Sequence, residues 1–272
     1  MKSLNEQQEV QEKLDKIFKI FKATEGAIRP HFILTGASGS GKSYSVELLT
    51  ISNELDFVEI NAAQLTKEGL SGNSLSKALT PLINKSGKLT VVFVDEFDKL
   101  FISGNNNELA HESTSGVQNE FLKVIEGSTA QVFGDYGKYV SVPTDKTLFV
   151  FAGAFNGVED LTLDKLRDFG IKTEFLGRVG LLFNLKKPSL ESMYLCLEKS
   201  KLLQNYIKVF RKDVTRDDVV STIKSAIREN YEKNTLGVRM INTFLHKYFI
   251  NGGNLTEEDK KESSFQTELS LK

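Results

Sequence analysis

The stretch Gly36-Ala37-Ser38-Gly39-Ser40-Gly41-Lys42-Ser43 constrains this chain more than any other part of it. It reads G-x-x-x-x-G-K-S. An apolar run, Phe32-Ile33-Leu34, precedes it, and Val46, Leu48 and Leu49 follow at helical spacing. Strand, glycine loop and helix in that order form a phosphate-binding P-loop. Glycines let the backbone curl so that several N–H groups point into one concavity, and the helix adds the positive end of its dipole. In such a loop Lys42 reaches the β- and γ-phosphates and the Ser43 hydroxyl ligates Mg²⁺. The whole run Gly36 to Ser43, with Tyr44 after it, is the expected nucleotide cradle, and ATP or ADP with Mg²⁺ the expected ligands.

The second signal is Leu89-Thr90-Val91-Val92-Phe93-Val94, a nearly unbroken β-branched run that ends in Asp95-Glu96-Phe97-Asp98. Apolar side chains on both sides of a strand mean a central position with both faces covered. Beside a P-loop, Asp95 suits the Mg²⁺ shell and Glu96 the polarisation of an attacking water. The alternative is a solvated strand end with three ordinary carboxylates. Further runs at 57–60, 148–151 and 180–184 alternate with helical patterns, so the expected fold is α/β, a parallel sheet flanked by helices.

Before the P-loop, residues 3–23 read as an amphipathic helix with a Ser3 capping box and Val10, Leu14, Ile17, Phe18 and Phe21 on one face. Leu75, Leu79, Leu82 and Ile83 predict one helix. Residues 103–116 are polar and read as a long loop, 117–126 as a helix, and 133–142 as a hairpin. From Pro188 onward strand-like runs are scarce, and helical patterns cover 189–210, 215–232 and 237–249. The expected division is an N-terminal helix on the core (1–28), a large ATPase domain (29–187), a small helical lid (188–252) and a flexible tail (253–272).

Composition narrows the setting. The single cysteine, Cys196, excludes an internal disulfide and a cysteine-built zinc site. No apolar run approaches the ~20 residues of a membrane span, and the polar start MKSLNEQQEV does not read as a signal peptide. The expected location is therefore cytoplasmic. A net charge of −1 gives no general attraction to nucleic acid. His31, His111 and His246 have no ligand-like spacing and are expected to be structural or solvent-facing.

More specific motifs carry a resemblance. Residues 115–127, Ser-Gly-Val-Gln-Asn-Glu-Phe-Leu-Lys-Val-Ile-Glu-Gly, resemble the G-V-Q…L-L-K-x-I-E-G helix of ClpX and HslU. Residues 148–155 are similar to their L-F-I-x-x-G-A-F strand, residues 168–178 to their F-G-(L)-I-P-E-F-x-G-R, and residues 236–239 to their G-A-R. The chain thus resembles the Clp/Hsl branch of the AAA+ ATPases over roughly residues 30–250. By that resemblance Arg178 is the arginine finger that reaches a neighbouring subunit's γ-phosphate, and Arg239 is the sensor-2 arginine. Asn156 is the nearest amide for sensor 1, although the local motif offers Ala and Gly first. The resemblance implies an oligomeric ring or spiral, of six subunits, that acts on a protein client or adaptor.

Departures from the family qualify this. The chain lacks the cysteines of the ClpX zinc module and any insertion of the size found in HslU, so a reduced form, such as a phage or mobile element encodes, is expected. Only 22 residues separate Phe155 from Arg178, with no I-G-F tripeptide, which argues against a peptidase partner. The G-Y-V-G pore loop aligns with Gly69-Leu70-Ser71-Gly72, where Leu70 replaces the gripping aromatic. The 103–114 loop lacks the positive charge of the second ClpX pore loop. Two other functions stay open: a nucleotide-gated assembly scaffold, and a nucleic-acid loader or transposition regulator.

Overall fold

The computed structural model describes residues 5–66, 73–101, 108–134 and 137–255. By internal contacts the chain forms two compact units. One spans Glu6–Ala37 and Gly41–Lys186. The other is built on the chain from Lys187 onward and includes Ser38–Ser40.

The first unit holds a five-stranded sheet of β1 (Phe32–Thr35), β2 (Asp56–Asn61), β3 (Thr90–Asp95), β6 (Thr147–Gly153) and β7 (Leu181–Asn184). Its order is β2-β3-β6-β1-β7, with every pairing parallel. Residue period explains the layers. Phe32, Leu34, Val91, Phe93, Leu148 and Val150 point to one face, where Leu14, Ile17, Phe18 and Phe21 of α1 (Asn5–Ala23) cover them together with Val46 of α2 (Lys42–Ser52). Ile33, Val92, Val94, Phe149 and Phe151 point to the other face, under α4 (Glu108–Glu126) and α6 (Thr173–Arg178). That second face is aromatic at its centre. Phe97, Phe121, Phe151 and Phe175 pack ring on ring, with centroids 4.8 Å apart for Phe97–Phe151, 5.2 Å for Phe97–Phe175 and 4.9 Å for Phe151–Phe175.

Two expectations need correction. The apolar face of 75–83 is right, but the helix is not continuous. Short α3 (Leu75–Ala78) gives way to a 3-10 turn at Thr80–Lys85, because Pro81 has no N–H to donate to a longer helix. The polar stretch after residue 107 is not a loop. α4 begins at Glu108, since Glu108, Leu109, Ala110 and Glu112 are helix formers that outweigh one internal glycine, Gly116. The expected helical pattern over 189–210 is present as two helices, α7 (Leu190–Glu198) and α8 (Lys201–Val209), because the Ser200 side chain accepts the Leu203 N–H and starts a new helix. The hairpin is present as β4 (Thr129–Phe133) against β5 (Tyr139–Pro143). A short α5 (Leu163–Asp168) precedes α6. Residues 69–72, 102–107 and 256–272, with the Ser3 cap, lie outside the described residues.

The second unit is helical. α7, α8, α9 (Arg216–Asn230) and α10 (Arg239–Ile250) enclose Met193, Leu197, Leu203, Val219, Ile223, Ile227, Ile241 and Leu245 in a core of their own.

His31 shows how the sheet is locked. It is 6% exposed, and its Nδ1 accepts the Phe149 N–H at 3.0 Å, so the ring is neutral with its proton on Nε2. Burial, and secondarily the Arg29 charge, lowers its pKa from 6.5 to about 4. An unfolded histidine protonates near 6.5 and the folded one only near 4, so the folded state is fully favoured above pH 6.5 and loses that advantage as pH falls toward 4. Denaturant titrations should show stability falling by about 2 kcal/mol between pH 7 and pH 5. His31→Gln should flatten that slope. An equal slope in the variant would assign it to other groups.

Candidate nucleotide site

The P-loop leaves β1 at Thr35 and enters α2 at Lys42. Gly36, Gly39 and Gly41 adopt φ of 148°, 72° and 94°, conformations that side-chain-bearing residues rarely adopt. Gly41 is the left-handed N-cap of α2, with no side-chain cap of its own, which leaves the first-turn N–H groups of an 11-residue helix for an anion. Lys42 Nζ donates to Gly36 O at 2.6 Å and to Ala37 O at 3.2 Å, so the ammonium lies over the loop it is expected to neutralise phosphates in. Ser43 is the second residue of α2 and half-buried, while Tyr44 is 69% exposed on the same helix. Ser40 is buried; Ala37 and Ser38 are exposed.

Sheet order brings the second motif alongside. β6 lies between β1 and β3, so the ends of β1 and β3 are about 10 Å apart, two strand spacings. Asp95 ends β3 and pairs in register with Asn61 at the end of β2. Glu96 follows in a left-handed conformation (φ 54°, ψ 31°), and its N–H donates to Asp95 Oδ1 at 2.8 Å. Its Oε2 accepts from Asn61 Nδ2 at 3.2 Å. Burial first, then the charges of Asp95 and Glu47, hold the Glu59 carboxyl above its usual range. The carboxylates of Glu59, Asp95 and Glu47 lie close enough to act on one another, and the hard oxygen donors of Asp95 and Ser43 fit Mg²⁺. Among the described residues no group of three or more His, Cys, Asp or Glu side chains could hold a metal. A cation held by Asp95 and Ser43 would take its remaining ligands from phosphate oxygens and water.

Asp98 is not the solvated carboxylate the sequence allowed. It is 1% exposed, and its Oδ2 accepts the Phe155 N–H at 3.0 Å. Phe155 and Asn156, just beyond β6, are both left-handed, with φ of 45° and 56°. Two successive non-glycine residues in that region cost about 1–3 kcal/mol each, and such strain collects at functional sites. Asn156 is exposed on this turn, beyond the strand that separates the P-loop strand from the acidic one.

Arg178 closes the six-residue α6. Its Nε lies 2.6 Å from Glu126 Oε1 at the end of α4, and its side chain is 60% exposed. Gln118 holds the other end of this segment: its Nε2 donates to Gly170 O at 3.1 Å, and its Oε1 accepts the Lys172 N–H at 3.0 Å. In the helical unit Arg239 opens α10, with Nη1 3.5 Å from Ser38 Oγ of the same unit. Sequence reasoning missed Asn61, Asp98 and Glu126. The available signals were a polar residue ending the strand beside β3 and a carboxylate three residues past Asp95. Gly69, Leu70, Ser71 and Gly72 lie outside the described residues.

Residues 32–175, more than half of the chain, match the family described as "ATPase family associated with various cellular activities (AAA)". This chain belongs to that family. The likeness to ClpX runs further. The ATP-dependent Clp protease ATP-binding subunit ClpX of Bacteroides fragilis is 25% identical over 280 residues, which cover 86% of this chain and 68% of that protein. The same-named proteins of Porphyromonas gingivalis (27% over 226 residues) and Treponema denticola (26% over 230) each align with 75% of this chain. This AAA protein spans only 55% and 54% of their respective lengths. It is a ClpX-like AAA+ ATPase with the α/β sheet of that class. Among its described residues no helix is long and apolar enough to cross a membrane.

Proposed function

We propose that this AAA+ ATPase assembles into a ring or spiral, of six subunits, and uses ATP to remodel or unfold a protein client without a peptidase partner. The observation that carries the reading is the extent of the likeness. It continues past the matched core, across 86% of the chain, to a relative named as the ATP-binding subunit of an ATP-dependent protease. The unfoldase-type helix and the exposed Arg178 support it. The near-neutral charge speaks against a nucleic-acid loader.

In this reading Gly36 to Ser43 and Tyr44 hold ATP, and Lys42 leaves the loop carbonyls for the β- and γ-phosphates. Asp95 and Ser43 would hold Mg²⁺, which when bound screens the phosphate charge. Glu96 takes the proton of the attacking water. Asn156 and the neighbour's Arg178 stabilise charge that develops on the γ-phosphoryl group. Arg239 answers to the nucleotide of its own subunit. Leu70 grips less area than an aromatic would, which favours the scaffold as the second reading.

A folded, fluorescent client captured with adaptor and ATP separates the two. Loss of client fluorescence with global hydrogen exchange supports remodelling by unfolding. Binding and release of an intact client transfers the function to the scaffold. Salt-sensitive DNA stimulation of turnover would transfer it to the loader.

A further inference from the structure

The turn after β3 reaches toward both neighbouring strands. Glu96 meets Asn61 at the end of β2, and Asp98, two residues on, meets Phe155 just past the end of β6. The second contact is fully enclosed. Asp98 and Phe155 are 1% and 0% exposed. A Cβ placed on Gly153 would lie 2.8 Å from Asp98 Oδ1 and 2.8 Å from Phe155 Cε2, so no side chain larger than hydrogen fits beside the carboxylate. The Phe155 ring is fixed as well, edge-on to Phe169 at 5.4 Å.

We propose that Asp98 is a positioning residue for ATP hydrolysis. Its buried carboxylate holds the Phe155 amide, keeps Phe155 and Asn156 in their left-handed turn, and so fixes Asn156 relative to the acidic pair. The geometry explains why a charged residue is enclosed here. A carboxylate accepts a backbone N–H strongly, and the left-handed turn needs such a bond to stay in place. The physical link is short: residues 95–98 are one turn, so whatever seats Asp95 and Glu96 also seats Asp98. Asn156 then takes its place from the same turn that carries the base.

This inference rests on the ATPase reading, so turnover of the unaltered protein is measured first; its absence would refute both, whereas normal turnover that the variants below leave unchanged would refute the Asp98 assignment alone. Three variants then follow. Asp98→Ala should lower kcat about 10- to 100-fold, with KM and nucleotide affinity within about three-fold. Asp98→Asn, which keeps the acceptor oxygen, should restore kcat to within about three-fold of the unaltered protein. Asn156→Ala should lower kcat by about 100-fold, and adding Asp98→Ala to it should cost less than a further two-fold, because both act through one group. Amide exchange without nucleotide gives an independent readout: the Phe155 N–H should exchange at least about ten-fold faster in Asp98→Ala, with the β6 amides unchanged. Should Asp98→Ala fail to fold, Gly153→Ala displaces the carboxylate with its charge intact and should show the same loss of kcat and the same lack of additivity with Asn156→Ala. Multiplicative losses, an unchanged kcat, or a fall in affinity equal to the fall in kcat would overturn the assignment.

Discussion

Glu96→Gln should lower ATP turnover by about 100- to 10,000-fold while ATP stays bound. The substitution suits the test because it changes little else. Glutamine matches the shape of glutamate, and its Oε1 can still accept the Asn61 amide that lies 3.2 Å from the carboxylate. The left-handed backbone at residue 96 and its N–H bond to Asp95 do not depend on the side chain. Only basicity is lost, so a water held near the γ-phosphate keeps its proton. Phosphate release measures the first half of the expectation. Retention of labelled ATP through gel filtration, together with the size of the complex, measures the second. More than a tenth of normal turnover in the variant would remove Glu96 from its role.

Arg178→Ala should cost about 1,000-fold or more in turnover, in the range of arginine fingers elsewhere, with ATP affinity preserved. In the isolated chain the guanidinium rests on Glu126 with most of its surface in solvent. An exposed pair of this kind is worth about 1 kcal/mol at most, so its removal barely touches the stability of one protomer. A large loss must then arise from the group Arg178 meets in the assembly. Mixing makes the point sharper. An Arg178→Ala subunit keeps its own Glu96, and a Glu96→Gln subunit keeps its own Arg178. Co-assembled, the two inactive variants form junctions that contain one intact copy of each. Activity should therefore reappear in the mixture. If it stays at the level of the separate variants, the finger does not act across a junction.

Short-range patterns made most of the fold legible. The P-loop is eight consecutive residues whose chemistry is local, and the doubly buried strands announced themselves because β3 and β6 are apolar at every interior position. What escaped depends on contacts distant in sequence. Asn61 meets Glu96 across 35 residues, and Asp98 meets Phe155 across 57, so no window around either residue could show the pairing. Composition misled at residues 108–116, where serine, threonine and glycine suggested a loop although alanine, leucine and glutamate carry the helix onward. The periodicity of 75–83 was correct for burial and blind to Pro81, which changes the hydrogen-bond pattern without moving the apolar face.

The four packed phenylalanines bear on how subunits would take turns. Phe97 lies between Glu96 and Asp98 in the chain, and Phe175 belongs to the same short helix as Arg178. Their rings stack at 5.2 Å, and a close-packed interior transmits a shift instead of absorbing it. Within one protomer a movement of the turn that carries Glu96 would therefore reach the helix that carries Arg178, and the two ends of that link are the groups that the proposed ring would set at successive junctions.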